Sequence, residues 1–340
     1  MSLRKFVLCS VILVILFLII PLIKTRELVG VSYPSSGWTV GYIKIKKSNN
    51  FTKDIKQKII SGDIDLISNT STKFGVNIDF NADPFLFEYE GCIYLFVETK
   101  PFHENAFISV YKWNSDSFLY QGVALNEQFH LSYPKVYNIK NQPILIPETQ
   151  GSGFSMVYKT DSFPFNWKPT DTLSLSPIKD PTLVFQTRST GQLYYAVKSN
   201  LYKRDFKLKS NGKFQLTKEK FIRTGKNSRP GGGPVYWDSD TFLCLQNNAK
   251  GYGSGLDLYS LKKDEIAAFL RPSSVIEEFS AGMHHFSTFD FGDSILCVFD
   301  GNKRVSNKIK LNFKQLLKST YLEIWQFWFP NIEPFYPFNY

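Results

Sequence analysis

The sequence predicts an all-β protein: a five-bladed β-propeller with an N-terminal transmembrane helix and a short C-terminal helix. Three observations carry that expectation. A pattern of two hydrophobic strands opened by a short polar or proline motif occurs five times in 340 residues, at intervals near 50. Aromatic residues make up 16% of the chain, with 31 Phe and 18 Tyr, side chains bulky enough to fill the wedge between stacked sheets. The 17 Pro and 21 Gly supply the turns that many short strands need. With 43% hydrophobic and 21% charged residues, the composition excludes wholesale disorder and a multi-span membrane protein, and four cysteines exclude a disulfide-built scaffold.

The chain begins with a cytoplasmic end, residues 1–5, holding Arg4 and Lys5. Residues 6–23 follow without a charge, near the lower length limit for a helix that crosses a bilayer. The next residues, Pro21-Leu-Ile-Lys-Thr-Arg, contain no small-residue cleavage point, which reads as an uncleaved signal anchor and not a removed leader. The expectation is a single-pass membrane protein of type II orientation, with a stem at 24–35 and everything beyond on the lumenal or extracytoplasmic side. Asn50-Phe-Thr and Asn69-Thr-Ser fit the glycosylation acceptor pattern.

The propeller is expected over residues 36–302. Its five copies open at Asp83-Pro, Tyr133-Pro, Asp180-Pro, Gly233-Pro and His285-Phe, each followed by a hydrophobic strand, a turn and a second hydrophobic strand. Prolines 84, 134, 181 and 234 are 50, 47 and 53 residues apart, and Phe286 lies 52 further on. That period with paired strands suits a four-stranded blade. Trp38-Thr-Val-Gly-Tyr-Ile-Lys-Ile alternates like a strand ahead of the first copy. It is expected to complete the last blade and close the ring, leaving fewer free edges. Residues 303–340 form a basic and aromatic tail, with a helix expected at 306–320 on the loosely periodic Ile309, Leu311, Phe313, Leu316 and Leu317.

The formal net charge of +10 is uneven. Residues 24–60, 198–226 and 303–318 are net +6, +8 and +6, so the motif-bearing remainder is acidic. These runs read as solvated surface. No nucleic-acid fold signature accompanies them, so nucleic acid is not expected as a partner.

In a propeller the innermost strands line a central channel, and their first residues gather at one mouth. That rule brings together Asp83, Tyr133, Asp180, the Arg229-Pro-Gly-Gly-Gly-Pro run, His284 and His285. Glu98 and Glu148 close the second strands of copies one and two, and Glu127 and His130 lie just ahead of copy two. Arg229 beside three glycines offers a cation where a carboxylate or phosphate can approach closely. Gln246, Asn247, Asn248 and Tyr252 add hydrogen-bonding and stacking groups. Carboxylates, Arg, His and Tyr around one opening suit sugar hydroxyls, which both donate and accept. No cofactor and no metal is expected: the chain has no HExxH, CxxC or Gly-x-Ser-x-Gly, and adjacent His residues on a strand point apart.

The ordered motifs Trp38-Thr-Val-Gly, Ala82-Asp-Pro-Phe-Leu, Phe96-Val-Glu-Thr-Lys, His130-Leu-Ser-Tyr-Pro, Pro147-Glu-Thr, Phe163-Pro-Phe-Asn-Trp and His284-His-Phe resemble a known domain. It is the amino-terminal domain of plant glucosamine inositolphosphorylceramide transferases, similar in turn to five-bladed glycoside hydrolases and fructosyltransferases of the arabinanase and invertase kind. The resemblance covers roughly residues 36–302. In the plant enzymes sugar transfer is ascribed to a separate carboxy-terminal domain, for which this sequence leaves no room.

Two functions are therefore expected in order. The first is a membrane-anchored propeller that binds a glycan or glycolipid head group in glycoconjugate or polysaccharide biosynthesis, beside a partner glycosyltransferase. The alternative is a glycoside hydrolase or transglycosidase. The resemblance to the hydrolases implies Asp83 as base or nucleophile and Asp180 as orienting carboxylate. Their blade-four Glu has no counterpart here, and Glu148 is the candidate acid. Glu98, Glu127, His130, Tyr133, Arg229, Gln246, Tyr252, His284 and His285 are the candidate substrate contacts.

Overall fold

The computed structural model describes residues 31–32, 37–47, 51–67, 78–102, 104–237, 239–271, 275–303 and 310–311. The chain divides into two units, Ser36–Arg304 on one hand and Met1–Ser35 with Val305–Tyr340 on the other.

Ser36–Arg304 is a propeller of five antiparallel sheets. Blade one runs from the channel outward as Ile78–Tyr89, Cys92–Pro101, Phe107–Asn114 and Ser117–Leu125. Blade two is Ser132–Ile139, Gln142–Glu148, Ser155–Ser162 and Phe165–Ser174. Blade three is Lys179–Phe185, Thr190–Val197 and Asn200–Leu208, whose outer edge takes both Phe214–Leu216 and Lys220–Thr224. Blade four splits its inner strand into Arg229–Pro230 and Val235–Trp237, which pair with Asp240–Gln246 and lead out to Leu256–Ser260 and Glu265–Leu270. Blade five is Phe286–Asp290, Ser294–Asn302, then Trp38–Lys46 from the start of the chain, then Asp65–Leu66. Trp38–Lys46 lies in continuous register with Ser294–Asn302, so the ring closes as the alternation of that segment implied.

Local chemistry fixes the hairpins. Glu90-Gly91 and Lys140-Asn141 both adopt positive φ at two successive residues, the geometry that matches the twist of paired strands in a two-residue turn. The core consists of five clusters, one at each blade boundary. Phe96, Val110, Leu145 and Tyr158 fill the one–two wedge, and Ile146, Val157, Leu193 and Phe206 the two–three wedge. Leu201, Leu243 and Tyr259 fill three–four, Leu258, Cys297 and Phe299 four–five, and Val40, Val298, Leu95 and Tyr111 five–one. The aromatic surplus is thus largely wedge filling. Phe163-Pro-Phe-Asn-Trp belongs here too, since Phe163 packs on Tyr89 and Tyr94 with ring centroids 4.3 and 4.9 Å away.

Two expectations change. Helix α1 (Phe51–Ser61) lies inside a stretch read only as basic connection. Ile55 and Ile59, one turn apart on one face, are buried in the four–five cluster beside Phe279. The helix expected over 306–320 is described only at Lys310–Leu311, which is extended and pairs with Val31–Ser32. The anchor expected at 6–23, the acceptor patterns at Asn50 and Asn69, and the aromatic tail lie outside the described residues. Among the described residues, no helix is long and apolar enough to cross a membrane.

Candidate functional site

Three residues at matching points of the inner strands share an unusual backbone. Asp83, Tyr133 and Asp180 each precede a proline and have φ of 51, 54 and 51°. Each sits where the inner strand slips register against its neighbour: between Ala82 and Phe85, Ser132 and Lys135, and Lys179 and Thr182. A left-handed conformation in a residue with a side chain costs on the order of 1–3 kcal/mol and persists only where the surroundings hold it. Here they do, through hydrogen bonds that step from blade to blade.

Asp300 of blade five accepts the backbone N–H of Asp83 on Oδ2 at 3.2 Å. Asp83 in turn accepts the N–H of Tyr133 on Oδ2 at 3.0 Å, and Glu148 accepts the N–H of Asp180 on Oε2 at 3.1 Å. Between blades three and four, Arg229 donates from Nε and Nη2 to the two oxygens of Asp180, a two-pronged ion pair, with Nη2 to Oδ1 at 3.0 Å. Gln246 Nε2 adds a bond to Asp180 Oδ2 at 3.3 Å. Between blades four and five, Phe286 N–H donates to Gly231 O at 3.0 Å. A hoop of polar contacts therefore runs around the mouth.

The glycine run of blade four is required by closeness. A Cβ on Gly232 would overlap the carbonyl of Phe286, and one on Gly231 the carbonyl of His284. Tyr133 reaches across the channel to the same run: its hydroxyl donates to Gly232 O at 2.7 Å, accepts Gly232 N–H at 3.0 Å and lies 2.7 Å from Thr182 Oγ1.

Charge and burial tune the acids differently. Burial first, then the Glu98, Asp180 and Asp300 carboxylates, push Asp83 well above the usual carboxylate range, with Arg229 offsetting part. Burial and then Asp180 raise Glu148 to about 8, again offset by Arg229, whose Nη2 lies 3.6 Å away. Burial also acts upward on Asp300, but His284 and His285 outweigh it and hold Asp300 below the usual range.

The outer face of the mouth is aromatic. Trp38 stacks on His284 with centroids 3.9 Å apart and planes at 17°, and His284 Nδ1 lies 2.6 Å from Asp300 Oδ2. Tyr252 meets both rings edge-on and lies over the Arg229 guanidinium at 5.9 Å. The residue is 59% exposed, yet its hydroxyl end hangs in the crowded mouth. Desolvation there, then Asp83, Asp180 and Glu98, raise the phenol above its usual range, while Arg229 acts against them.

The residues singled out in the sequence therefore divide. Asp83, Glu148, Asp180, Arg229, Tyr252 and His284 meet at the mouth, and Glu98 is electrostatically next to Asp83. His130 joins from the rim, its Nε2 donating to Glu98 Oε1 at 2.9 Å while Ala106 N–H donates to Nδ1 at 3.5 Å. Tyr133, Gln246 and His285 are fully buried, so they stand behind the wall of the mouth and not on its surface. Arg229 is committed to Asp180, which corrects its reading as a free cation for an incoming anion. Glu127 makes none of these contacts; it lines a separate cleft of about 530 Å³ with Lys100, Glu104, Asn105, Phe107 and Asn126.

Two residues escaped the sequence reading. Trp38 was read only as ring closure. Asp300 ends the second strand of copy five as Glu98 and Glu148 end theirs, and that shared position was the signal. Donor atoms of Asp83, His284 and Asp300 lie within 4.8 Å of one another. The oxygens of Asp300 are already engaged there: Oδ1 accepts the N–H groups of His284 and His285 at 3.0 and 2.9 Å, and Oδ2 serves Asp83 and His284 Nδ1.

Residues 29–271 match the family model described as glucosamine inositolphosphorylceramide transferase 1, N-terminal. Glucosamine inositolphosphorylceramide transferase 1 of Arabidopsis thaliana is 28% identical over 200 residues, covering 54% of this chain and 25% of that protein. The protein of the same name from Oryza sativa subsp. indica is 32% identical over 118 residues, covering 34% and 16%. The chain thus spans about a quarter or less of the length of these relatives. Among solved structures, a family-43 β-xylosidase/α-arabinofuranosidase from a compost metagenome, in complex with xylotriose, superposes with a TM-score of 0.50 at 12% identity, over 66% of this chain and 93% of that one. At that identity the likeness concerns the fold alone. With a match over most of its length, the chain belongs to the family of the glucosamine inositolphosphorylceramide transferase 1 N-terminal domain.

Proposed function

We propose that the propeller binds a glycan or glycolipid head group at this mouth and acts in glycoconjugate or polysaccharide biosynthesis beside a glycosyltransferase, held to its membrane by residues 6–23. One observation carries the reading. Asp83 and Glu98 each give one carboxyl oxygen to the protein's own network and keep the other without a hydrogen bond among the described residues, at a mouth that also holds the exposed Tyr252 ring. Sugars are recognised by such pairing of an aromatic face with convergent polar groups. The raised carboxyls of Asp83 and Glu148 can both donate and accept, as hydroxyls require. The relatives' names, which refer to a glycosyl transfer onto a glycolipid, support a carbohydrate ligand.

The hydrolase reading has one point in its favour: Glu148, raised to about 8, is protonated at neutral pH, as a general acid must be. Against it, Asp83 is pushed in the same direction and is a poor ionised base, and Asp180 is locked to Arg229. The binding reading is therefore preferred. The test is a glycan array probed with the full chain, followed by incubation of each hit. Binding without release of product supports the proposal. Release of a shortened sugar replaces it with glycosidase or transglycosidase activity, and absence of any binding overturns both.

A further inference from the structure

Two residues beyond the mouth, each inner strand contributes again to the channel: Phe85, Lys135, Thr182, Gly233 and Ser287 stand roughly 7 Å deeper. This second tier differs in charge from the first. The Lys135 ammonium lies 5.0 Å above the Phe85 ring and 5.8 Å from that of Tyr137. Among the described residues it has no ion pair and no hydrogen bond, and desolvation alone, with no carboxylate acting on it, brings its amine down to about 8. His285 is fully buried against Phe85, with centroids 4.3 Å apart, and neither ring nitrogen has a partner. Burial, reinforced by Lys135 and His284 and opposed by Asp300, holds that imidazole neutral, with its pKa near 3, so it keeps one N–H to give. Ser287 Oγ accepts the N–H of Leu86 at 3.4 Å, which leaves its own hydrogen free to donate.

Lys135, Phe85 and Ser287 come together beside Gly233, which has no side chain to keep them apart. A Cβ on Gly233 would lie 3.4 Å from Lys135 Nζ and 3.8 Å from both the Phe85 ring and Ser287 Oγ. Lys135 is half-buried, and a cation drawn out of bulk water without a counter-charge carries a cost that the faces of two rings offset only in part. Donors from two blades, Lys135 on blade two with His285 and Ser287 on blade five, with no carboxylate beside the ammonium, describe a site for negative charge. We propose that the second tier of the channel binds a small monovalent anion, held by the Lys135 ammonium with His285 and Ser287 as further donors. One cation and narrow walls set the charge and the size. The site is separate from the sugar-binding mouth and independent of it.

The test uses the full chain at constant ionic strength, with sodium gluconate, too bulky for the channel, replaced stepwise by sodium chloride. The wild-type melting temperature is expected to rise and saturate with chloride. Lys135→Met, which keeps the apolar stem, is expected to be at least as stable as wild type in gluconate and to gain nothing from chloride. Chloride-35 NMR gives a second reading on the wild type alone: line broadening that saturates and is displaced by nitrate. Equal chloride responses in the two proteins would mean adventitious binding, and no response with no displaceable broadening would mean an empty tier. A large stability loss for Lys135→Met in gluconate would assign the ammonium to the rings alone. Each of these three results overturns the proposal.

Discussion

Asp300 Oδ2 accepts the backbone N–H of Asp83 at 3.2 Å, joining residues 217 apart across the seam where blade five meets blade one. The same carboxylate takes the N–H groups of His284 and His285, so one fully buried side chain orients three residues of the mouth. Asp300→Ala removes the acceptor and leaves three buried donors unmet. Removing one member of such a group costs about 3–5 kcal/mol. Urea denaturation followed by tryptophan fluorescence measures this, and a loss below about 1 kcal/mol would show that the seam does not depend on Asp300.

Arg229 and Asp180 form the corresponding clasp between blades three and four, where the apolar wedge is smallest. Arg229→Ala strands a buried carboxylate and is expected to cost about 3–5 kcal/mol. Arg229→Lys keeps the charge but not the two-pronged geometry, and is expected to lose about 1–3 kcal/mol. The ordering wild type, Lys, Ala in thermal melts checks the role. Equal stability of the three would assign Arg229 to ligand binding instead.

The pH dependence of stability has two limbs. A carboxyl whose pKa is 4.5 unfolded and about 8 folded binds its proton more tightly in the folded state. Its contribution is full below 4.5 and is lost as pH rises toward 8. His285 has the opposite sign: with a folded pKa near 3 against 6.5 unfolded, its contribution is present above 6.5 and lost as pH falls toward 3. Glu148→Gln is therefore expected to flatten the decline between pH 6.5 and 8 while leaving the acid limb in place. Urea midpoints across this range check it, and an unchanged alkaline slope would remove Glu148 as its source.

Tyr252 is more than half exposed, so its removal touches binding and not the fold. Tyr252→Ala is expected to leave stability within about 0.5 kcal/mol of wild type. Affinity for any sugar found on the array is expected to fall about tenfold, the loss of about 1.4 kcal/mol of stacking. Calorimetry on that sugar measures it. Unchanged affinity would place the ligand away from Tyr252.

What the sequence made legible was periodic. Pro84, Pro134 and Pro181 open equivalent inner strands, and the alternation of Trp38–Ile45 announces a strand with a distant partner. Motif residues at equivalent points of the repeat, Asp83, Glu148 and Asp180 among them, converge because the ring makes them converge. What stayed hidden depends on partners distant in sequence. Nothing near Arg229 says that its guanidinium is spent on Asp180, and nothing near His285 says that it faces rings instead of solvent. Helix α1 was obscured because its buried stripe is only Ile55 and Ile59 in a lysine-rich segment, a signal weaker than the charge around it. Lys135 was passed over because a lysine after a Tyr-Pro turn reads as surface until the channel is drawn.

The seam between the first and last parts of the propeller also imposes a schedule on its birth. Lys46 is opposite Ser294, so the first strand of the propeller must wait for roughly 250 further residues before its long partner exists. At about 5–20 residues per second, that delay is on the order of 12–50 s. During this time Val40, Ile43 and Ile45 have only the short strand Asp65–Leu66 beside them, and blades one to four stand as an open arc. Growing chains of this protein are therefore exposed to off-pathway strand pairing for most of their synthesis, and the final annealing of one terminus to the other is what turns the arc into a ring.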